Sequence, residues 1–425
     1  MFRIMRFAQQ QIAALPFGTM PVLLCTMGAQ ALLLLGTPLL TRLYTPAEYG
    51  GFAIFLSLTG VLGVASCLRL EQAVMLPRSP RRLRGLTAAS SVLCLAVACL
   101  VLAGVALLTV AAEWRTWFWL LPAGVLLRGL TQLLQVMANR RRLVRLMGIS
   151  RMGMAVATLG SQAVLALTGL GAMGLAGGYV AGQALGVGVL CLGVGGELIR
   201  ALAASNRLGM LAAVRRYRRF ALLEAPGALL NAAAVEIPVI LAAAFFGDSQ
   251  AGQYALAARA STFPAGLLSM SAGQMFYREA VADVRRMGRI GQPLFRMVRF
   301  SLVVGVPGYL LLALLAPWLF GPVFGAEWTE AGRVTAVLAP ACLLMFVAGP
   351  VSTSFAAFER QDLLLRYHGA AVLVALVGFG AGQYMGGLLW ATALFSAFQA
   401  MRYAAMLVSI RSLNRTGANE ERKVG

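Results

Sequence analysis

Twelve apolar stretches, each close to the roughly 20 residues a helix needs to cross a bilayer, run through this chain. They lie near Phe17–Leu40, Gly51–Leu68, Leu86–Val110, Trp117–Met137, Gly148–Leu170, Gly174–Val194, Phe220–Phe246, Gly252–Phe276, Ser301–Phe320, Val334–Phe358, His368–Tyr384 and Gly386–Ser409. Of the 425 residues 60% are hydrophobic, against about 45–50% in soluble domains. Twelve spans take about 240 residues and leave about 185, so no sizeable extramembrane domain fits. The expected fold class is an all-α polytopic membrane protein with about 12 transmembrane helices. The first stretch is longer than a signal-peptide core and follows the polar Gln9-Gln10-Gln11, so it reads as a retained first helix.

The charge balance is +21, and Lys423 is the only lysine. Its distribution decides what the excess means. With the N-terminus inside, 29 cations fall in inner segments and three, Arg42, Arg115 and Arg333, fall outside. The inner set runs through Arg3 and Arg6, Arg78–Arg84, Arg140–Arg151, Arg200–Arg219, Arg278–Arg299, Arg360 and Arg366, and Arg411–Lys423. The outer loops also carry Glu48, Glu113, Asp248, Glu327 and Glu330. This is the positive-inside pattern at every loop, so both termini are expected to be cytoplasmic. The basic loops then set topology and touch anionic lipid, and nucleic acid is excluded as a partner.

Two internal echoes divide the chain. Glu48–Ala53, entering the second stretch, lines up with Gln250–Ala255, entering the eighth, at an offset of 202 residues. Pro122–Arg142 lines up with Pro340–Arg360 at an offset of 218. Both offsets approximate half the chain, which implies two six-helix halves that switch access by rocking about a central cavity. The expected division is an N-terminal bundle at 1–196, a basic linker at 197–219, a C-terminal bundle at 220–409 and a cytoplasmic tail at 410–425. The linker carries six arginines among Leu, Ala and Met; it reads equally as an amphipathic helix on the inner leaflet or as a solvated linker.

Charges inside the apolar stretches are the candidate functional residues, because a charge facing lipid costs about 2.5–3.5 kcal/mol. They are Arg69 and Glu71 at or just below the end of the second stretch, Arg128 in the fourth, Glu224 and Glu236 in the seventh, Arg259 in the eighth and Arg402 in the twelfth. Glu236 and Arg259 sit on adjacent helices and could pair. Two readings stand for the arginines: buried ion pairs or snorkelling side chains, or guanidinium forks that hold an anion such as phosphate. Gly174, Gly178, Gly182 and Gly186, four residues apart, read as a close helix–helix contact. Pro38, Pro226, Pro238, Pro264, Pro307, Pro340 and Pro350 mark kinks that allow helices to bend.

Catalytic and metal constellations are not expected. The six cysteines fall within apolar stretches without CxxC spacing and read as packing residues. His368 is the only histidine, so no His-based metal centre is expected, and no DxD, GxSxG, P-loop or HExxH occurs. Movement of a substrate, not chemistry on it, is the expected activity.

The block Thr37–Gly50 with Leu68–Pro77, the stretch Gly252–Arg259 with Pro264 and Gln274, and Leu338–Pro340 with Phe346, Pro350 and Glu359-Arg360-Gln361 resemble bacterial oligosaccharide flippases of the polysaccharide-transporter family. That family belongs to the multidrug/oligosaccharidyl-lipid/polysaccharide superfamily. The chain departs from the family pattern at Leu70, where an aromatic is usual, and at Gly349, where a small hydroxyl residue is common.

The resemblance implies two six-helix bundles in the bacterial inner membrane. It implies movement of undecaprenyl-diphosphate-linked oligosaccharide from the cytoplasmic to the outer leaflet, for O-antigen, capsule or exopolysaccharide synthesis. Polysaccharide polymerase and chain-length machinery are the implied protein partners. Arg259 and Arg69 are the first candidates to contact the diphosphate, followed by Arg128 and Arg402. Glu71 and Glu236 would orient those arginines or take part in coupling to an H+ or Na+ gradient or to the membrane potential. No cofactor is expected. The rival readings are a cation-coupled small-molecule exporter of the same superfamily, which calls for an acid-lined cavity, and a polysaccharide-assembly enzyme, which calls for a large outer loop.

Overall fold

A computed structural model describes residues 20–111 and 115–424. The beginning of the first apolar stretch, Arg3 and Arg6, Glu113, and the side chains of Arg422 and Lys423 lie outside the described residues. Within them every regular element is helical: α1 Met20–Leu43, α2 Pro46–Ala65, the single turn α3 Leu70–Ala73, α4 Pro80–Ala111, α5 Leu121–Arg140, α6 Val144–Ala166, α7 Ala172–Ala204 and α8 Arg207–Arg216. There follow α9 Ala225–Met287, α10 Gln292–Phe324, α11 Thr329–Val351, the turn α12 Ser354–Ala357, α13 Gln361–Gly382 and α14 Leu388–Val424.

Ten of the helices are long and apolar enough to cross a membrane. One of these, Phe220–Ser269, has 50 residues, about 75 Å of helix, and so covers two crossings of a bilayer whose core is about 30 Å thick. Gly247 breaks it with non-helical φ 83° and ψ 174°, a conformation open to glycine because it has no Cβ. Helix α6, 23 residues long, also has the length to cross, but Arg145, Arg151 and Gln162 dilute its apolar content. Counting both halves of the long helix and adding α6 gives the twelve spans.

The chain divides into two compact units, one running to Glu236 and the other from Ile237, so the boundary falls within α9. Segment 197–219 is largely helical: α7 continues to Ala204, and α8 packs beside α4. A Cβ on Gly85 would meet the Gly209 carbonyl oxygen at 3.0 Å, and Ala213 is buried. Helix α14 runs through the segment expected as a tail and ends at Val424.

In the first unit, Thr45 opens α2 with a reciprocal cap. Its hydroxyl accepts from the Glu48 amide at 3.4 Å, and the Glu48 carboxylate accepts from the Thr45 amide at 2.8 Å, satisfying donors that a helix start leaves open. Leu70, Val74, Leu86, Leu133, Leu134, Leu190 and Val194 form a core at one end of this unit. Helices α6 and α7 meet along the glycine stripe: Ser150 donates to the Gly186 carbonyl at 2.9 Å and the Gln162 amide to the Leu175 carbonyl at 2.9 Å.

In the second unit, Phe276, Ile290, Met297, Val351, Phe355, Met406 and Ile410 form the corresponding core. Asn414 fixes α14 to the turn before α10 by accepting from the Ile290 amide at 2.6 Å and donating to its carbonyl at 2.9 Å.

The sequence echoes have structural counterparts. Gly51 packs beside Trp117, just ahead of α5: a Cβ on Gly51 would stand 3.2 Å from Trp117 Nε1. Gln253 donates to the Glu327 carbonyl at 2.6 Å and accepts from the Ala331 amide at 2.8 Å, at the start of α11. Each first-echo block therefore lies beside the start of the helix carrying its unit's second echo. Both second-echo segments close with the same turn. The Leu143 amide reaches back to the Ala138 carbonyl at 2.9 Å, and the Arg360 amide to the Phe355 carbonyl at 2.7 Å. The residue preceding each donor, Arg142 or Glu359, is left-handed with φ 58°. This six-to-one closure is a common helix stop.

Candidate functional site

The first unit holds two charged clusters. In one, the chain leaves α2 through two successive non-glycine residues of positive φ, Leu68 at 49° and Arg69 at 59°. A pair of left-handed residues is strained, and it turns α3 so that Glu71 is fully buried. Arg69 lies 3.7 Å from the Glu71 carboxylate, and neither carboxylate oxygen makes a hydrogen bond among the described residues. Arg140, read from the sequence only as a loop cation, closes the corner. It donates to the carbonyls of Val74, Met75 and Pro77 at 2.8, 2.9 and 2.5 Å.

Burial pushes the Glu71 carboxyl above the usual carboxylate range, with the neighbouring Arg69 charge acting the other way and Glu224 adding to the rise. A folded-state value above the unfolded one, about 4.3, gives stability that is full below the unfolded value and is lost as pH rises through the folded one. Thermal melting between pH 5 and 8 is therefore expected to show wild type losing more stability toward alkaline pH than Glu71→Gln. Equal slopes for the two proteins would show that the buried carboxyl does not titrate there.

The other cluster joins Arg128 and Glu236. Gly60 and Gly63, one helical turn apart on α2, leave room for both side chains. A Cβ on Gly60 would stand 2.8 Å from Glu236 Oε1, and one on Gly63 2.6 Å from Arg128 Cδ. Arg128 donates to the Tyr179 hydroxyl at 3.3 Å, and Glu236 is hydrogen-bonded by Ser57 within the electrostatic reach of Arg128. Gln183 links Tyr179, at 3.0 Å, to Thr131, at 3.2 Å. Within its own unit Glu236 thus has Arg128 as a neighbouring cation. Glu224 is exposed in a π-helical turn over Phe220–Glu224.

In the second unit Arg402 is held by its own surroundings. It donates to Gln399 at 2.6 Å and to the Tyr367 carbonyl at 3.4 Å, and its guanidinium lies 4.0 Å from the centre of the Tyr403 ring. That geometry favours a cation–π contact. Arg259 differs: it is half-buried on α9, with no hydrogen bond or ion pair among the described residues. The four candidate arginines divide between the units, Arg69 and Arg128 in one and Arg259 and Arg402 in the other.

A further arginine escaped the sequence reading. Arg151, counted there as an inner-loop cation, lies in the second turn of α6 and donates to the Thr26 hydroxyl and, at 3.3 Å, to the Gln135 carbonyl oxygen. The available signal was its position seven residues beyond Val144, where the apolar pattern of the fifth span has already begun. No cluster of three or more metal-ligating side chains occurs among the described residues.

Comparison with solved structures gives the architecture. The lipid II flippase MurJ, in an inward closed conformation, aligns with a TM-score of 0.69 at 13% identity, covering 93% of this chain and 89% of that one. An inward-facing multidrug resistance MATE family transporter of the MOP superfamily aligns at 0.60 with 13% identity, covering 95% and 97%. The Vibrio cholerae MATE transporter VcmN aligns at 0.58 with 15% identity, covering 96% and 97%. At these identities the likeness shows a shared fold. No curated protein matches the chain. A family model described as polysaccharide biosynthesis protein matches residues 39–333, more than half of the sequence, and the chain therefore belongs to that family.

Proposed function

We propose that the protein is a flippase that carries undecaprenyl-diphosphate-linked oligosaccharide from the cytoplasmic to the outer leaflet of the bacterial inner membrane by alternating access, for surface polysaccharide synthesis. The observation that carries this reading is the state of Arg259: a half-buried guanidinium with no hydrogen bond or ion pair among the described residues. Arg69 faces Glu71, Arg128 is bonded to Tyr179 near Glu236, and Arg402 is held by Gln399, Tyr367 and Tyr403. A guanidinium with its donors unclaimed among the described residues suits a diphosphate, which it binds through paired, charge-assisted hydrogen bonds. Membership of a polysaccharide biosynthesis family and the fold shared with MurJ support the same substrate class.

In this reading Arg259 is the principal diphosphate contact and Arg69 the second, with Arg128 and Arg402 as supporting cations. Glu71 orients Arg69. Glu236, beside Arg128, is the candidate for coupling to an ion gradient. The arginine-rich inner loops and α8 face anionic lipid of the inner leaflet, with both termini cytoplasmic. Exposed Leu208 and Leu211 on α8, among Arg207, Arg215 and Arg216, suit that interface. A polymerase and chain-length machinery would take the flipped unit.

A deletion strain tests the function directly. Extracted lipids should show undecaprenyl-diphosphate-linked single repeat units accumulating on the cytoplasmic side, with surface polysaccharide lost. Units that reach the outer leaflet but stay unpolymerised would point to an assembly enzyme, and an unchanged lipid pool to small-molecule export.

A further inference from the structure

Helix α5 carries a polar stripe whose two middle members, Gln132 and Gln135, have amide groups that the contacts described above leave unused. Arg128, Gln132, Gln135 and Asn139 recur at spacings of four, three and four residues, which places them on one helical face. The opposite face is closed by Leu133, Leu134 and Met137, all buried. The stripe extends about 16 Å along the axis, roughly half the hydrocarbon thickness.

An unpaired amide facing lipid is costly. Gln132 is half-buried and makes no hydrogen bond among the described residues. Gln135 accepts from Arg151 through its carbonyl oxygen, and no protein group among the described residues accepts from its amide nitrogen. Arg151 is itself tied to Thr26 on α1, so the carbonyl side of Gln135 is held in place. Such a stripe belongs against a wet space, with donors and acceptors turned to whatever occupies it.

The geometry points to Gln132 and Gln135 as a glycan subsite, reading the sugar portion of the substrate while the diphosphate is held elsewhere. This rests on the lipid-linked oligosaccharide reading above. A side-chain amide offers a donor and an acceptor together, the complement of neighbouring sugar hydroxyls. It carries no charge to recruit a phosphate, and it is too polar for a polyprenyl tail.

The test uses the purified full chain and two probes: undecaprenyl diphosphate, and the same lipid carrying one N-acetylhexosamine. Wild type is expected to bind the glycosylated lipid about tenfold more tightly, the equivalent of one or two net hydrogen bonds. Gln132→Ala with Gln135→Ala should bring that ratio close to one and leave affinity for the bare lipid unchanged. Arg259→Ala should weaken both probes alike. Gln132→Ala removes no hydrogen bond among the described residues, so it carries the test alone if the Gln135 change reduces folded protein. A ratio preserved in folded variants would overturn the subsite while the flippase reading stands, as would a wild type that binds both lipids equally. Failure of wild type to bind either lipid would remove the flippase reading and the subsite with it.

Discussion

Arg259→Ala is expected to lower flipping by about 10–100-fold at unchanged membrane abundance, measured by outer-leaflet accumulation of the lipid-linked oligosaccharide in a complemented deletion strain. The magnitude follows from losing one or two charge-assisted hydrogen bonds of about 1.5–3 kcal/mol each, partly replaced by water. Abundance should hold because Arg259 makes no hydrogen bond or ion pair among the described residues, so its removal strands none of them. Arg259→Lys should fall between the two, since an ammonium keeps the charge but loses the planar fork. Arg402→Ala provides the contrast. Gln399 and the Tyr367 carbonyl lose their donor and Tyr403 loses its cation, so that change should act on the amount of folded protein. Undiminished transport by Arg259→Ala at normal abundance would remove Arg259 from the diphosphate site.

These arginines also show where sequence reasoning reaches its limit. Length and hydropathy are local properties, so the twelve spans could be placed without tertiary information, including the pair that the structure joins into one helix across Gly247. Even α6, too polar for a simple hydropathy criterion, was marked by its apolar run. The small-residue contact of α7 was legible for the same reason: a four-residue spacing puts glycines on one face whatever the partner.

Partner choice among charges is not local. Glu236 lies beside Arg128 because Gly60 and Gly63 open space on α2, and no spacing in the sequence relates position 236 to position 128. Arg140 and Arg151 read as two more loop cations, yet one clamps three carbonyls and the other bonds Thr26 and Gln135. A count of positive charges orients a membrane protein. It does not separate cations that face headgroups from cations that hold a helix turn together.

The glycine stripe supplies the largest expected effect on folding, and the structure grades it residue by residue. A Cβ on Gly178 would stand 2.8 Å from the Gln162 backbone nitrogen and 3.0 Å from its Cα, and one on Gly182 2.8 Å from the Met154 carbonyl oxygen and 3.0 Å from Thr158 Cβ. Backbone cannot step aside as a side chain can, so α6 and α7 must separate along their length. Gly178→Ala and Gly182→Ala should each cost about 2–3 kcal/mol, at the upper end of ordinary overpacking. A leucine at either position should abolish recovery of folded protein. Gly186 faces the Cγ and Sδ atoms of Met154 instead; that side chain must turn aside but no backbone has to move, and Met adapts its shape readily, so Gly186→Ala should cost about 1 kcal/mol. Gly188, one residue pair further along, has open space where its Cβ would be, and alanine there should be neutral or slightly stabilising by helix propensity. Thermal melting in detergent, with size-exclusion profiles, ranks the four variants. A flat series would mean that the α6–α7 contact yields as a whole. The expected order, severe at 178 and 182, mild at 186 and absent at 188, would show that backbone proximity, not glycine content, makes these two helices a rigid pair.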